Sequence, residues 1–235
     1  MISEGEFHAV ALAAFLAEIS ISPTKSGIVF DDPVSSLDHL IRENVAKEFV
    51  TLAKDRQVVV FTHDLFFLVT LQDIADKENV PTHDQQVIRE CSGPGVCHPD
   101  IPWEGLKTKD RIKNMNALLD KAEREYKKGI KEYEPLAEQL CKQMRLTVER
   151  AIEEVLMADI VRRYRRNIMA SKVKELIKIR KEDCIFLDGL MTEYSKLQHD
   201  QEAEARIPLP KPDKLRTDIK NLSAWATDYN KREIT

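Results

Sequence analysis

Short β-rich apolar runs alternate with longer helical patterns through the first hundred residues of the chain. Apolar positions within 1–20 predict a first helix, and the runs at 28–30 and 58–61 predict two strands. A second helix is predicted between the strands, and a third over 65–78. A strand, a helix and a strand in this order predict a parallel pair with a right-handed crossover. The pattern therefore indicates a small α/β domain.

A less regular stretch follows the third helix and predicts the end of this domain. A strand is expected over 86–90, and Ser92-Gly93-Pro94-Gly95 is typical of a turn. The proline-containing stretch 99–103 is expected as the boundary, because the composition changes after it. We therefore predict a first domain at residues 1–103 and a second at 104–235.

The pattern of the second domain is almost wholly helical. Apolar residues recur there at three- and four-residue steps among many charged ones, as in amphipathic helices that share one core. Pro135 is expected to end the first helix or to begin the next one. A helical pattern covers 107–133, and a long amphipathic helix follows with an apolar stripe from 140 to 155. Later helices are predicted over about 170–181, 183–198 and 212–230. The predicted fold is thus an α/β lobe followed by an all-α helical domain.

The composition indicates a folded, helix-rich protein. Of the 235 residues, 43% are apolar and 32% are charged, and the net charge is -4. No apolar run approaches the roughly 20 residues of a membrane span, and no signal pattern opens the chain, so we expect a cytoplasmic protein. Four cysteines give no disulfide framework, and Cys91, Cys97 and His98 have a poor spacing for zinc.

Two adjacent acids close the first predicted strand. Asp31 is placed to hold a hydrated Mg²⁺, because that ion prefers one or two carboxylates together with phosphate oxygens and water. Asp32 is then placed to orient or deprotonate an attacking water. His63 follows the second strand, so we expect it beside both acids. A strand that ends in two acids is, on its own, equally consistent with a structural cap or turn.

The N-terminus of the first helix is a second candidate site. Ser3 is a typical N-cap residue, and Glu6 three positions later gives the spacing of a capping box. A serine hydroxyl and backbone N–H groups at a helix N-terminus form a ready anion site. For an isolated Ser-x-x-Glu pattern, a cap without any ligand is the alternative.

Four segments in this part of the chain resemble motifs of ABC-type ATPases. In chain order they resemble the signature motif, the Walker B strand, the D-loop and the switch histidine: Ile2-Ser3-Glu4-Gly5-Glu6, residues 28–32, Ser35-Ser36-Leu37-Asp38 and His63. The amino-acid sequence of these motifs is most similar to that of the soluble RecF and SMC-type branch. Within that branch it resembles bacterial anti-phage ATPases of the RloC, PrrC and Septu PtuA kind. The resemblance covers about residues 1–103.

The resemblance implies a role for each matched residue. Asp31 would hold Mg²⁺ through water, Asp32 would be the catalytic base, and His63 would sense the γ-phosphate of ATP. Other residues would act across a dimer, on a nucleotide held by the opposite subunit. These residues are Ser3, Gly5, Glu6, Ser36 and Asp38.

Two features depart from the family pattern. Asp32 stands where many ABC-type ATPases have Glu, and its shorter side chain favours slow turnover, with ATP acting more as a switch than as fuel. The chain also lacks a phosphate loop of the form Gly-x-x-x-x-Gly-Lys, and Gly93-Pro94-Gly95 has no lysine. We therefore expect the Walker A half to come from another segment or a partner subunit, and the chain alone neither to bind ATP tightly nor to hydrolyse it.

A strongly basic segment between Val161 and Lys181 is a candidate nucleic-acid surface in the second domain. Its only acid is Glu175, and clustered arginines and lysines supply the sequence-independent part of nucleic-acid affinity. A solvated helical face is the alternative. The prediction rests on Arg162, Arg163, Arg165, Arg166, Lys172 and Lys174.

The same domain contains a candidate nuclease set. Arg145 and Glu149 are four residues apart, and His199 ends a later predicted helix. An acid, a base and an arginine are suited to metal-free RNA cleavage, and the layout is similar to that of the RloC and PrrC anticodon nucleases. A plain ion pair is the alternative. In that case the domain would dock a separate nuclease, as the Septu resemblance suggests, or bind DNA for a RecF-like repair ATPase.

Overall fold

The computed structural model describes residues 3–90, 93–99, 101–163, 168–197 and 208–234. The chain divides into two compact units, Met1–Gly105 and Leu106–Thr235. Most of the described residues are helical, and the strands form one small parallel and one small antiparallel sheet.

The first unit alternates helices with strands, and its parallel pair has the predicted order. Ile28 lies opposite Val58 and Asp31 lies opposite Phe61, so both strands end at the same edge. The predicted parallel pair is therefore confirmed. The elements are α1 (Glu4–Ile21), β1 (Ile28–Asp31), α2 (His39–Ala53), β2 (Val58–Phe61), α3 (Leu65–Glu78), β3 (Gln86–Glu90) and β4 (Gly93–His98).

Three aromatic rings form the centre of the first unit's core. Phe30 of β1 stacks on Phe49 of α2, with the ring centroids 3.9 Å apart. Phe49 in turn meets Phe67 of α3 edge-on at 6.1 Å, and all three side chains are buried. Such aromatic contacts add to the free energy gained by burying apolar area. The stack fixes β1, α2 and α3 against one another.

The turn predicted at 92–95 is wrong for Gly93 to Gly95, which lie in a strand, and Ser92 lies outside the described residues. Gly93 to Gly95 belong to β4, which pairs antiparallel with β3, and the register of the pair shifts between Ile88 and Arg89 of β3. Gly93 has a φ of +133° and Gly95 a φ of +89°, values that other residues rarely adopt. The glycines therefore serve an irregular strand, which the sequence alone does not distinguish from a turn.

The second unit contains four α-helices among its described residues. Two predicted spans are accurate: α6 lies within three residues of the expected range, and α7 has the expected bounds. The elements are α4 (Thr108–Tyr126), α5 (Ile130–Ala151), a π-helix (Ile152–Leu156), a 3₁₀ helix (Ala170–Lys178), α6 (Lys181–Lys196) and α7 (Pro212–Asn230).

Three predictions for the second unit are wrong. The helical run predicted over 107–133 is interrupted, because α4 ends at Tyr126 and α5 begins at Ile130. Pro135 neither ends nor begins a helix, because α4 ends at Tyr126 and Pro135 lies inside α5. A proline there removes one backbone hydrogen bond, whereas the buried apolar face of α5 runs on past it. The span predicted over 170–181 is a 3₁₀ helix with no buried residue. Without burial, nothing in the core selects the α-helical form there.

The core of the second unit forms where apolar faces of α4, α5, α6 and α7 meet. Leu140, Met144 and Val148 of α5 are almost fully buried, as the predicted stripe requires. Tyr194 is fully buried, and its hydroxyl donates to Asp218 at 2.6 Å. Across the described ranges, no helix combines the length and apolar character needed to cross a membrane.

A buried acid joins α6 to the end of α7. Asp183 is 2% exposed, and its carboxylate accepts hydrogen bonds from Arg232 at 2.6 and 2.8 Å. The indole of Trp225 and the backbone N–H of Arg180 also donate to it. Burial alone would raise the pKa of Asp183, but these donors outweigh it and lower the pKa to about 2.

Asp183→Asn is expected to lower the free energy of unfolding of the second unit at neutral pH. It should also make that free energy depend less on pH in the acid range. Since the folded pKa of about 2 lies below the ordinary 3.8, the stabilisation is present above pH about 4 and lost toward pH 2. The wild-type contribution at pH 7 is on the order of 2 kcal/mol. Urea unfolding between pH 2 and 7, followed by tryptophan fluorescence, measures it. The same change at Asp188, exposed on α6, should leave the pH profile unaltered.

Candidate functional site

The carboxyl ends of β1 and β2 bring Asp32 and His63 together, as predicted. Nδ1 of His63 lies 3.1 Å from Oδ2 of Asp32. The N–H of Asp32 donates to the carbonyl of Phe61 at 2.8 Å, which extends the strand pairing by one residue. Asp32 then adopts a φ of +44°, a left-handed conformation that turns the chain out of the strand. Strand register and backbone turn together place the pair.

The carboxylate of Asp32 retains unused hydrogen-bonding capacity. Its Oδ1 is buried and has no hydrogen-bond partner among the described residues. Such an oxygen is costly to bury unless water, an ion or a ligand satisfies it. Asp31, the last residue of β1, is exposed beside it. The described residues contain no group of three or more His, Cys, Asp or Glu side chains that could hold a metal ion, so Mg²⁺ binding by Asp31 stays a prediction.

The N-terminus of α1 has the predicted capping box. The hydroxyl of Ser3 accepts from the N–H of Glu6 at 3.2 Å, and the carboxylate of Glu6 accepts from the N–H of Ser3 at 2.7 Å. These bonds lower the pKa of Glu6, the backbone N–H of Ser3 contributing most. The prediction of a cap is confirmed, while contact with a nucleotide stays a prediction.

Gly5 places the start of α1 directly against the segment 35–38. A Cβ atom at this position would lie 2.5 Å from the carbonyl oxygen of Ser36, closer than real Cβ atoms approach other atoms. Ser36 has a φ of +63°, an uncommon conformation for serine. Two segments that the sequence separates by thirty residues are thus in van der Waals contact.

Asp38 has a structural role within its own segment. Its side chain accepts from the N–H of Leu40 at 2.9 Å and so caps α2. It also lies 3.3 Å from Nδ1 of His39. The structure thus assigns the cap of α2 to Asp38. Its role across a dimer stays a prediction.

Arg42 is a residue of this site that the sequence analysis missed. It lies on α2, its Nε donates to the carbonyl of Leu37 at 2.8 Å, and its guanidinium pairs with Asp64. Asp64 follows His63 and caps α3 by accepting from the N–H of Phe67 at 3.0 Å. Arg42 and Asp64 are 22 residues apart, so no local pattern links them. The only hint in the sequence is that Asp64 has polar neighbours.

In the second unit, Glu149 lies between two arginines. Arg145 pairs with its Oε1 at 2.7 Å and Arg163 with its Oε2 at 2.6 Å. Arg163 also pairs with Glu153 at 2.8 Å. The i,i+4 ion pair of the alternative reading is therefore present, and both oxygens of Glu149 are engaged. His199, the third member of the predicted nuclease set, lies outside the described residues.

An unpredicted irregularity follows this cluster. The π-helix Ile152–Leu156 ends α5, and Ala158 and Asp159 then have φ values of +49° and +57°. Arg150 is 6% exposed and lies within 3.3 Å of Glu154, whose carboxylate also accepts from Thr108 at 2.8 and 2.9 Å. Wider helical turns and left-handed residues are frequent at functional sites.

The basic segment is only partly available as a phosphate surface. Arg162 lies 3.9 Å from the carboxylate of Asp159, and Arg163 is engaged with Glu149 and Glu153. Lys172 and Lys174 are exposed on the 3₁₀ helix, and Lys172 donates to the carbonyl of Ala158. Arg165 and Arg166 lie outside the described residues.

Comparisons with protein-family models, with curated proteins and with solved structures gave no match.

Gly5→Ala is expected to destabilise the first unit, although alanine is the better helix former by about 1 kcal/mol. The added methyl would meet the Ser36 carbonyl at 2.5 Å, and overpacking of this kind costs about 1–3 kcal/mol. Gly189→Ala is the matched control, because a Cβ on that residue of α6 meets nothing within 4 Å. Urea denaturation should show a lower free energy of unfolding for Gly5→Ala and a higher one for Gly189→Ala. Equal stabilisation by both would refute the close contact.

Proposed function

We propose that residues 1–103 form the C-terminal lobe of an ABC-type ATPase of the RecF and SMC-like branch, acting in anti-phage defence. The observation that carries the proposal is the Asp32–His63 contact at the shared carboxyl edge of two parallel strands. The contact between Gly5 and Ser36 supports it, because it joins two further segments of the motif set. The motif order along the chain completes the argument.

Each residue has a chemical task in this proposal. Mg²⁺ and ATP supply the charge neutralisation and the phosphoanhydride bond. Asp31 would hold the hydrated ion from the end of β1, where its carboxylate is exposed. Asp32 orients and deprotonates the attacking water. His63 holds the other oxygen of Asp32 and reports the presence of the γ-phosphate.

A second polypeptide surface completes the nucleotide site. The phosphate loop comes from another segment or a partner subunit, and Ser3, Gly5 and Glu6 face its nucleotide from the N-terminus of α1. A helix N-terminus attracts phosphate through its backbone N–H groups and its dipole. Ser36 and Asp38 relay the state of one site to the other across a homodimer or a heterodimer.

The helical unit has two candidate functions, and its contacts favour docking of a separate nuclease. Metal-free cleavage of tRNA by Arg145, Glu149 and His199 would use His199 or Glu149 as base or acid, and in that role Glu149 must exchange a proton. Both oxygens of Glu149 already accept from Arg145 and Arg163, so its release would break two ion pairs. The exposed Lys172 and Lys174 would add a phosphate-binding surface for RNA or DNA.

In an assembly completed with a phosphate loop, Asp32→Asn is expected to lower kcat for ATP hydrolysis about 10²–10⁴-fold with little change in KM. The physical reason is that an amide cannot accept the proton of water. Asp55→Asn is the matched control, since Asp55 is an exposed acid whose ion pair with Lys25 contributes little. The chain alone should not bind a fluorescent ATP analogue at micromolar concentration. Equal turnover in Asp32→Asn and the wild type would refute the assignment.

With the purified chain, total tRNA and single-stranded DNA in EDTA are expected to remain uncut and to be retained in a salt-sensitive complex. Arg145→Ala, His199→Ala and the control Lys131→Ala, an exposed lysine of α5, are compared on denaturing gels. Discrete RNA fragments that vanish in the first two variants but not in the control would instead establish a metal-free ribonuclease.

A further inference from the structure

One arginine joins the two loops that carry the candidate site. Nε of Arg42 donates to the carbonyl of Leu37, and the same guanidinium pairs with the carboxylate of Asp64. The side chains of Arg42 and Asp64 are only 27% and 19% exposed, so solvent screens their contact less than it would a surface pair. We name this arrangement the Arg42 bridge.

The first end of the bridge holds the loop that contains Ser36. Leu37 is 3% exposed, and its N–H donates to the carbonyl of Val34 at 3.1 Å. Arg42 fixes the carbonyl of the same residue. The loop is thereby held on both sides of the strained Ser36, whose carbonyl meets Gly5.

The second end of the bridge holds the loop that contains His63. Asp64 uses one carboxylate oxygen to cap α3 and the other to pair with Arg42. Its N–H donates to the hydroxyl of Thr62 at 3.1 Å. The residue between them is His63, which is 82% exposed and touches Asp32. Because few neighbouring atoms pack against the His63 ring, its position depends on the backbone of residues 62–64.

We propose that Arg42 is a positioning residue that keeps the Ser36 loop and the His63 loop in one fixed relation, and so keeps His63 against Asp32. The catalytic consequence rests on the proposed ATPase function, whereas the geometric claim stands without it. The coupling is physically continuous, from α1 through Gly5, Ser36 and Arg42 to Asp64 and His63.

The chemistry of arginine suits this task. A planar guanidinium presents several N–H donors in a rigid fork, so it serves a carbonyl and a carboxylate at once in a defined geometry. A lysine ammonium at the end of a flexible stem cannot fix both partners in the same way. The charged hydrogen bond also gains strength from its partial burial.

The chain provides a matched control for a purely structural effect. Lys54 and Glu78 form a second ion pair between α2 and α3, at 2.7 Å, and both side chains are well exposed. Removing it deletes a tie between the same two helices without touching either loop. Lys54→Met and Arg42→Met therefore differ in which part of the helix pair they release.

The test measures the tautomer of His63 in the chain alone, with no nucleotide present. A carboxylate next to Nδ1 favours the Nδ1–H form, whereas free imidazole prefers Nε2–H. Long-range ¹H–¹⁵N correlation at a pH where the ring is neutral distinguishes the two forms. His63→Gln identifies the signal among the six histidines. Asp32→Asn supplies the spectrum of a ring whose anionic partner has been removed.

We expect Arg42→Met to move the His63 spectrum toward that of Asp32→Asn, and Lys54→Met to leave it at the wild-type position. Asp64→Asn should act like Arg42→Met, because asparagine keeps the cap of α3 but loses the charge. Arg42→Lys should keep the pair with Asp64 and lose the hydrogen bond to the Leu37 carbonyl. Backbone amide hydrogen exchange over residues 34–38 should therefore become faster by a larger factor than exchange over 64–68.

An unchanged His63 spectrum in both Arg42→Met and Asp64→Asn would overturn the proposal. An equal shift in Lys54→Met would also overturn it, because the effect would then reflect loosening of the helix pair. Absence of ATP hydrolysis in a completed assembly would refute the proposed function and leave the tautomer result intact. The two ideas therefore fail separately.

Discussion

The register of two parallel strands is the constraint on which the candidate site depends. With Asp31 opposite Phe61, the chain leaves β1 and β2 at the same edge, and the next residues meet there. The hydrogen bond from Asp32 to Phe61 then fixes the point at which β1 ends. A slip of one residue would exchange the buried and exposed faces of a strand and remove Phe30 from its stack on Phe49. Core packing thus protects the geometry of the polar edge.

The residues at the carboxyl edge of β1 and β2 include features that cost free energy. Asp32 and Ser36 both adopt left-handed backbone conformations, and Asp32 buries an oxygen that no described residue satisfies. Each such conformation in a residue other than glycine costs on the order of 1 kcal/mol or more. The buried rings of Phe30, Phe49 and Phe67 offset these costs within the same unit. Strain concentrated beside a carboxylate and an imidazole is typical of sites that bind or react.

In the second unit, most of the charged residues near the candidate site are paired with one another. Its acids and arginines interlock where α5 widens into a π-helix, and Arg150 is buried among them although two of its nitrogens lack a hydrogen-bond partner in the described part of the chain. A partly satisfied buried network is energetically sensitive, because removal of one member leaves another uncompensated. Arg145 and Glu149, which suggest a nuclease in the sequence, therefore take part in ion pairs that give the unit a defined internal structure.

The sequence by itself determined the elements whose signals are local. The capping box of Ser3 and Glu6, the bounds of α3 and α7, and the strand–helix–strand order all follow from spacing and period within one segment. The proximity of His63 to Asp32 was also predictable, since parallel strands share their carboxyl edge.

Only the tertiary structure decided what joins distant segments. The approach of Gly5 to Ser36, the bridge from Arg42 to Asp64 and the pairing of Glu149 with Arg163 depend on how separate segments pack, which no local pattern records. The uninterrupted course of α5 through Pro135 was decided there too, because burial of its apolar face outweighs one lost hydrogen bond. Local propensity fixed the pieces, and long-range burial and pairing fixed which of their side chains meet.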